Sequence, residues 1–117
     1  MPSPAQRFCR FLHFTPIYDN RYDGALWRST VEVDVTIVTS TDVQVDRIRA
    51  KDYGKGYGTR ALRQLIRAAD KYRVALFLKA APTGGYYENN LKDLKRFYRR
   101  FGFRSVGGDC LERKPKR

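Results

Sequence analysis

The hydrophobic pattern of this chain changes its period across a short run with three glycines, Gly54–Gly58. Before this run, aliphatic side chains alternate with polar ones over Leu26–Thr39, which is typical of a strand with one polar face. After it, hydrophobic residues recur every three or four positions over Ala61–Ala69, which is typical of an amphipathic helix. The change of period therefore predicts strands that lead through a glycine turn directly into a helix.

The rest of the chain extends this pattern to an α+β domain. Thr41–Ala50 continues the strand pattern, so we predict two antiparallel strands joined near Ser40 and Thr41. Val74–Leu78 is a short apolar run of the kind found in a strand covered on both faces. We predict a loop at Ala81–Asn90 and a second helix that runs through Leu91–Tyr98 and stops at Gly102. Two closing strands are predicted at Phe103–Val106 and Cys110–Arg113.

The beginning of the chain is predicted to be rich in strands. Arg10–Ile17 has a proline among aromatic and aliphatic residues, which favours an edge strand or two short pieces. Tyr18–Gly24 has the composition of a turn, and no amphipathic helix is evident in residues 1–42. We expect one compact domain over residues 1–117, with residues 114–117 as a frayed basic tail.

Charge and cysteine content narrow the classes of function. Lys and Arg total 24 against 12 acidic residues; residues 1–46 carry a net charge of −2 and residues 47–117 a net charge of +14. A region this positive attracts polyanions such as nucleic acid, a nucleotide cofactor or an acidic protein surface. No apolar run approaches the roughly 18 residues of a membrane span. Cys9 and Cys110 have the spacing of neither a disulfide framework nor a zinc site, so we expect a cytoplasmic protein with reduced thiols and no metal.

The glycine turn has the chemistry of a pyrophosphate site. The segment Ile48–Leu62 reads IRAKDYGKGYGTRAL. The first turn of a helix has unpaired backbone N–H groups and the positive end of the helix dipole. Glycine permits positive φ and lets phosphate oxygens approach with no Cβ in the way. The glycine spacing matches neither the P-loop pattern nor the dinucleotide-binding pattern GxGxxG.

Two segments resemble motifs of the GNAT superfamily of N-acetyltransferases. Tyr53–Gly58 resembles motif A, Arg/Gln-x-x-Gly-x-Gly/Ala, with both required glycines present and Tyr53 where the family has Arg or Gln. Phe97–Phe103, FYRRFGF, resembles the end of motif B, FYxxxGF. The resemblance covers about Val43–Phe103. It implies a GNAT-like mixed, mainly antiparallel central sheet with two main helices, and with the front helices reduced or absent.

The resemblance also implies a reaction, in which an acetyl group passes directly from acetyl-CoA to an amine. Tyr98 is the position that matches the tyrosine protonating the departing thiolate. Asp46, on the strand that enters motif A, is the first candidate for the base that deprotonates the amine, followed by Glu32 and Asp34. The implied CoA-binding residues are Ile48, Arg49, Ala50, Tyr53, Gly54, Lys55, Gly56, Tyr57, Gly58, Thr59, Asn90 and Arg99.

Two other classes of function stay open at this point. A catalytically idle GNAT-like module that binds a protein partner fits the short chain. A basic nucleic-acid-binding domain fits the positive half, although no nucleic-acid-binding motif is found and this class is not favoured. For an enzyme, the acceptor could be a protein or a small molecule. The positive charge favours an acidic protein surface or a neutral amine over a lysine-rich tail.

Overall fold

The computed structural model describes residues 1–50, 55–79 and 91–116, and for residues 91–93 the main chain alone. The chain starts with helix α1 (Pro4–Phe11) and the strands β1 (Thr15–Tyr18), β2 (Arg21–Leu26), β3 (Val31–Thr39) and β4 (Asp42–Ala50). It continues with helix α2 (Tyr57–Tyr72), strand β5 (Ala75–Lys79), helix α3 (Leu91–Arg99) and strands β6 (Arg104–Gly107) and β7 (Cys110–Arg113). The predicted loop at Ala81–Asn90 lies outside the described residues.

The strands form one seven-stranded sheet in the order β1-β2-β3-β4-β5-β7-β6. Neighbouring strands are antiparallel, except that β4 and β5 are parallel and connected through α2. The predicted fold class, a mixed and mainly antiparallel α+β sheet with reduced front helices, is therefore confirmed. No helix among the described residues is long and apolar enough to cross a membrane.

One face of the sheet carries the core. The alternating valines of β3 and β4 are buried against α1 and α2, whereas the polar residues between them, such as Glu32 and Gln44, are exposed. Helix α2 buries Ala61, Leu62, Leu65, Ala68 and Ala69. The alternation in the strands and the helical spacing in α2 thus meet in a single core.

The amino-terminal segment is where the sequence interpretation was wrong. Pro4–Phe11 is a helix, so the predicted strand Arg10–Ile17 contains the end of α1, a turn and the first residues of β1. The Ser3 hydroxyl accepts a hydrogen bond from the Gln6 N–H at 3.2 Å, and the Gln6 side chain accepts one from the Ser3 N–H at 2.9 Å. This reciprocal capping box, with Pro4 at the first helical position, starts the helix.

The next segment is also more ordered than a turn. Tyr18–Gly24 contains the end of β1 and the start of β2, and only Asp19 and Asn20 connect the two strands. β1 is an edge strand, as its proline predicted. The Ile37 N–H donates to the Asn20 carbonyl at 2.8 Å, which holds this hairpin to β3.

A buried ion pair joins the last strand to α2. The Arg113 guanidinium, 3% exposed, donates to the two carboxylate oxygens of Asp70 at 2.7 and 3.1 Å, and its Nε donates to the Phe101 carbonyl at 2.8 Å. The backbone N–H of Lys116 donates to Asp70 Oδ1 at 2.9 Å. Burial acts to raise the pKa of Asp70, but the hydrogen bonds from Arg113 and Lys116 outweigh it and hold that pKa below its usual value.

Candidate active site

The parallel strands β4 and β5 separate towards their carboxyl ends. Their pairing begins at Asp42 opposite Ala75 and ends at Val45 opposite Leu78, although β4 continues to Ala50. Beyond that point β4 remains paired with β3 alone. Residues on both separating strands line a cleft of about 640 Å³.

Asp46 is the extra residue of a β-bulge at the point of separation. On β3, Val35 lies opposite Val45 and the preceding Asp34 lies opposite Arg47, so Asp46 has no partner in the register. A bulge bends its strand and increases the local twist. The bulge therefore accounts for β4 turning away from β5, and it places Asp46 in the wall of the cleft.

The Asp46 carboxylate is oriented by two neighbours. It accepts a hydrogen bond from Thr36 Oγ1 at 2.6 Å and one from Gln44 Nε2 at 2.7 Å. Glu32 and Asp34, the other two carboxylates considered as bases, do not line the cleft. A carboxylate oxygen of Glu32 lies 4.0 Å from a guanidinium nitrogen of Arg47. Of the three candidates, Asp46 is the one that lines the cleft.

Tyr98 of α3 lines the same cleft. Its ring is partly buried and meets Phe103 edge-on at 5.7 Å between centroids, with Phe97 at 5.4 Å. Phe97 in turn packs on Phe101 at 5.2 Å. These aromatic contacts fix the Tyr98 ring in the cleft wall. The phenylalanines of the FYRRFGF segment thus belong to the packing.

The glycine turn leaves the start of α2 open. Gly56 is the N-cap residue with φ of 74°, and no side chain among the described residues caps this end of the helix. A Cβ placed on Gly56 or Gly58 meets no heavy atom of the described residues within 4 Å. The first-turn N–H groups and the positive end of the helix dipole therefore fit an anionic pyrophosphate.

Most of the other predicted CoA-binding residues lie at the end of β4 or at the start of α2. Ile48 lines the cleft, and Arg49 and Ala50 follow it on β4 opposite Glu32 and Val31. Lys55, Tyr57 and Thr59 lie at the start of α2. Arg99 is exposed at the end of α3 and does not line the cleft. Tyr53, Gly54 and Asn90 lie outside the described residues.

Beside α2 lies a strained turn that the sequence did not predict. Trp27, Arg28 and Ser29, between β2 and β3, have φ of 48°, 57° and 63°. A left-handed conformation costs a non-glycine residue roughly 1–2 kcal/mol. The Trp27 N–H donates to Gln64 Oε1 at 2.7 Å, which ties the turn to α2. No glycine or asparagine marks these positions, so composition offered no signal for the turn.

The two cysteines differ in exposure, which provides a test of the cleft. Cys110 is exposed and lines the cleft, whereas Cys9 is buried in the core. Burial raises the pKa of the Cys9 thiol to about 12, so it stays protonated and unreactive at neutral pH. The described ranges hold no group of three or more His, Cys, Asp or Glu placed to bind a metal ion.

Iodoacetamide should therefore alkylate Cys110 and leave Cys9 unmodified in the folded protein. Saturating acetyl-CoA should slow the alkylation at Cys110, because a ligand in the cleft would cover the thiol. Mass spectrometry of tryptic peptides over a time course measures both rates, and the rates in urea provide the unfolded reference. Faster labelling of Cys9 than of Cys110 would contradict this arrangement of the core and the cleft.

Comparisons with solved structures show the class of fold. Neither a protein-family model nor a curated protein matches the sequence. Anti-CRISPR protein AcrVA5 is similar with a TM-score of 0.63 and 18% identity, over 80% of this chain and 98% of that chain. An acetyltransferase from Thermus thermophilus is similar with a TM-score of 0.60 and 19% identity, over 92% of this chain and 71% of that chain. A GNAT-family acetyltransferase from Staphylococcus aureus has a TM-score of 0.54 and 10% identity, over 82% of this chain and 67% of that chain. The chain thus has the GNAT fold.

Proposed function

We propose that the protein is an acyl-CoA-dependent N-acyltransferase that passes an acetyl group from acetyl-CoA directly to an amine. The observation that carries this proposal is the separation of β4 from β5, which brings Asp46 and Tyr98 into one cleft. The same strand leads on to the open start of α2. A carboxylate can accept the proton of the amine, a phenol can protonate the departing thiolate, and the start of α2 can hold the pyrophosphate.

The chain offers a separate contact for each part of acetyl-CoA. The backbone N–H groups of Gly56–Thr59 would hold the pyrophosphate. Glycine at 56 and 58 leaves free the space that a Cβ would fill, so phosphate oxygens can approach these N–H groups. Backbone groups of Ile48–Ala50, on the part of β4 that has left β5, would hold the pantetheine and acetyl portions. Tyr53, Gly54, Lys55, Asn90 and Arg99 complete the proposed set, the two cations through their charge.

Two side chains would move the protons. An amine must be neutral to attack the thioester carbonyl, so Asp46 accepts its proton, directly or through a water molecule. As the new C–N bond forms and the C–S bond breaks, the Tyr98 hydroxyl donates a proton to the departing sulfur. The second proton of the acceptor nitrogen, lost as the amide forms, restores the Tyr98 hydroxyl, and Asp46 releases its proton to solvent. Holding both substrates in one cleft supplies much of the rate, because the reaction no longer depends on a chance encounter.

The charge of the acceptor does not follow from the net charge of residues 47–117. The cleft is lined by both signs of charge, Asp42 and Asp46 beside Arg47 and Lys79. We therefore propose an amine of a protein or a small molecule as the acceptor, and the preference for acidic or neutral acceptors stays a prediction. Acetylation of matched acidic and basic peptides at low salt tests that preference.

Binding and turnover can be tested separately. Isothermal calorimetry with acetyl-CoA should show one site, and a cell lysate incubated with protein and labelled acetyl-CoA should give acetylated products by mass spectrometry. Binding without product would favour the catalytically idle module that binds a protein partner. No binding of acetyl-CoA, together with salt-sensitive binding of duplex DNA, would favour the nucleic-acid-binding domain instead.

The glycine turn gives a sharp test of the pyrophosphate site. Gly56→Val should weaken acetyl-CoA binding at least tenfold, about 1.4 kcal/mol, because a branched side chain would fill the space above the α2 N–H groups. Valine is also strained at positive φ. Gly108→Val is the matched control, since Gly108 has φ of 53° and open space around its Cβ position. Calorimetry on both folded variants separates obstruction from strain, and equal affinities for the two would contradict the pyrophosphate site.

A further inference from the structure

The turn between β2 and β3 places two guanidinium groups over one aromatic ring. The guanidinium carbon of Arg60 lies 4.6 Å from the centroid of the Trp27 ring, and that of Arg28 lies 5.3 Å from it. The π-system of an indole attracts cations, so both guanidinium groups are held next to the same ring. The hydrogen bond from the Trp27 backbone N–H to Gln64 ties the turn to α2, and the partly buried ring packs against the core.

These two charges are not neutralised within the described part of the chain. The ion pairs there join Arg47 to Glu32, Lys95 to Asp109 and Arg113 to Asp70, and neither Arg28 nor Arg60 takes part in one. Both arginines are exposed. A guanidinium presents a planar set of N–H donors that matches phosphate oxygens, and its charge persists at any physiological pH.

The backbone strain of the turn also favours a ligand-binding role. Three consecutive non-glycine residues hold left-handed conformations, and the hydrogen bond to Gln64 of α2 is one of the contacts that oppose their relaxation. Such strain concentrates at sites that bind ligands, where it holds a side chain that a relaxed turn would direct elsewhere. Here the strained residues are the ring and one of the two arginines.

The location of the pair relates it to the start of α2. The Arg60 N–H donates to the Gly56 carbonyl at 3.1 Å, so Arg60 lies just over one helical turn, about 6 Å along the axis, from the N-cap. Val31, just after the strained turn, is paired with Ala50, the last residue of β4. The pair therefore lies beside the proposed pyrophosphate site and not in the cleft.

We propose that Arg28 and Arg60, held by Trp27, bind a phosphate monoester, and that in CoA this group is the 3′-phosphate of the ribose. A phosphate monoester carries a charge of about −1.5 to −2 at pH 7, which matches two guanidinium groups. In CoA this phosphate is separated from the pyrophosphate by one ribose, so the molecule presents two anionic groups to neighbouring sites. The inference rests on the proposed function and adds to it a basis for selecting CoA over its dephosphorylated form.

Calorimetry with CoA and with dephospho-CoA, which lacks only the 3′-phosphate, tests the site. The unmodified protein should bind CoA at least tenfold more tightly than dephospho-CoA. Arg28→Gln and Arg60→Gln should each reduce that ratio at least threefold and leave the affinity for dephospho-CoA nearly unchanged. Arg63→Gln is the matched control, because Arg63 is an exposed arginine of the same helix without an aromatic contact among the described residues. It should keep the full ratio.

The outcomes separate this inference from the function on which it rests. Equal affinities of the unmodified protein for CoA and dephospho-CoA would overturn the phosphate site and leave the proposed function intact. An equal loss of affinity for both ligands in Arg28→Gln would also overturn it, because the arginine would then act only through its general charge. Binding of neither ligand would overturn the proposed function and this inference together.

Discussion

Replacing Asp70 by asparagine should lower the free energy of unfolding by about 3 kcal/mol, because it leaves a buried charge without its partner. The Arg113 side chain is 3% exposed, whereas that of Asp70 is 29% exposed, so the expected cost is at the lower end for buried pairs. Asparagine keeps the volume of the side chain but can accept only one of the two guanidinium hydrogen bonds. Urea unfolding followed by circular dichroism measures the change.

An ion pair in which neither side chain is fully buried provides the matched control. Asp109 lies 2.8 Å from the Lys95 ammonium, with side chains 39% and 23% exposed. Such a pair contributes up to about 1 kcal/mol, so Asp109→Asn should cost far less than Asp70→Asn. Similar losses in the two variants would show that burial of Arg113 does not set the cost.

The same pair should give a defined pH dependence. Because the pKa of Asp70 lies below its usual value in the folded protein, the carboxylate stabilises the fold fully above the pKa of an unfolded aspartate, about 3.9. That contribution is lost as the pH falls from there through the folded-state pKa. The difference in stability between the unmodified protein and Asp70→Asn should therefore shrink on acidification below about pH 4. A difference that stays constant down to pH 2 would contradict this assignment.

Tyr98→Phe should slow turnover about 100-fold if the hydroxyl is the proton donor to the departing thiolate. The variant keeps the ring and its contacts with Phe97 and Phe103, so the stability and the affinity for acetyl-CoA should change little. Measuring kcat with the first acceptor identified, and the Kd of acetyl-CoA by calorimetry, separates chemistry from binding.

A second tyrosine controls for the loss of a hydroxyl elsewhere. Tyr72 is the last residue of α2, and its ring meets Phe11 edge-on at 5.6 Å between centroids. It does not line the cleft, so Tyr72→Phe should keep the full kcat. Unchanged kcat in Tyr98→Phe would remove that hydroxyl from the mechanism and leave the residue a packing role.

Hydrophobic periodicity was sufficient to predict the helices and strands that bury one face over many residues. The alternation in Leu26–Thr39 and the helical spacing in Ala61–Ala69 predicted β3 and α2, since burial on one face imposes these periods. Helix α1 was missed because eight residues give only two turns of pattern. Its available signal was local: Ser3 followed three residues later by Gln6, with a proline between them.

The features of the candidate site likewise fall into those that the sequence predicted and those that it did not. Motif spacing was enough to propose the glycine turn and Tyr98, whose chemistry depends on neighbours in sequence. The bulge at Asp46 depends on the register between two strands, and the Trp27 turn depends on Gln64 of a distant helix. Arg113 was not predicted to be buried, because its partner lies 43 positions away. Contacts of this kind leave no periodic trace in the sequence.

The parallel pairing of β4 with β5 has a consequence for the order in which the chain folds. β1 to β4 are joined by short connections, so they can pair early from nearby residues. β5 can meet β4 only after α2 has crossed the sheet, and the two strands then share just four register pairs. This long-range closure costs more chain entropy than any hairpin. We therefore expect the two parts of the sheet to join late in folding, so that the cleft is complete only when the chain has reached its native topology.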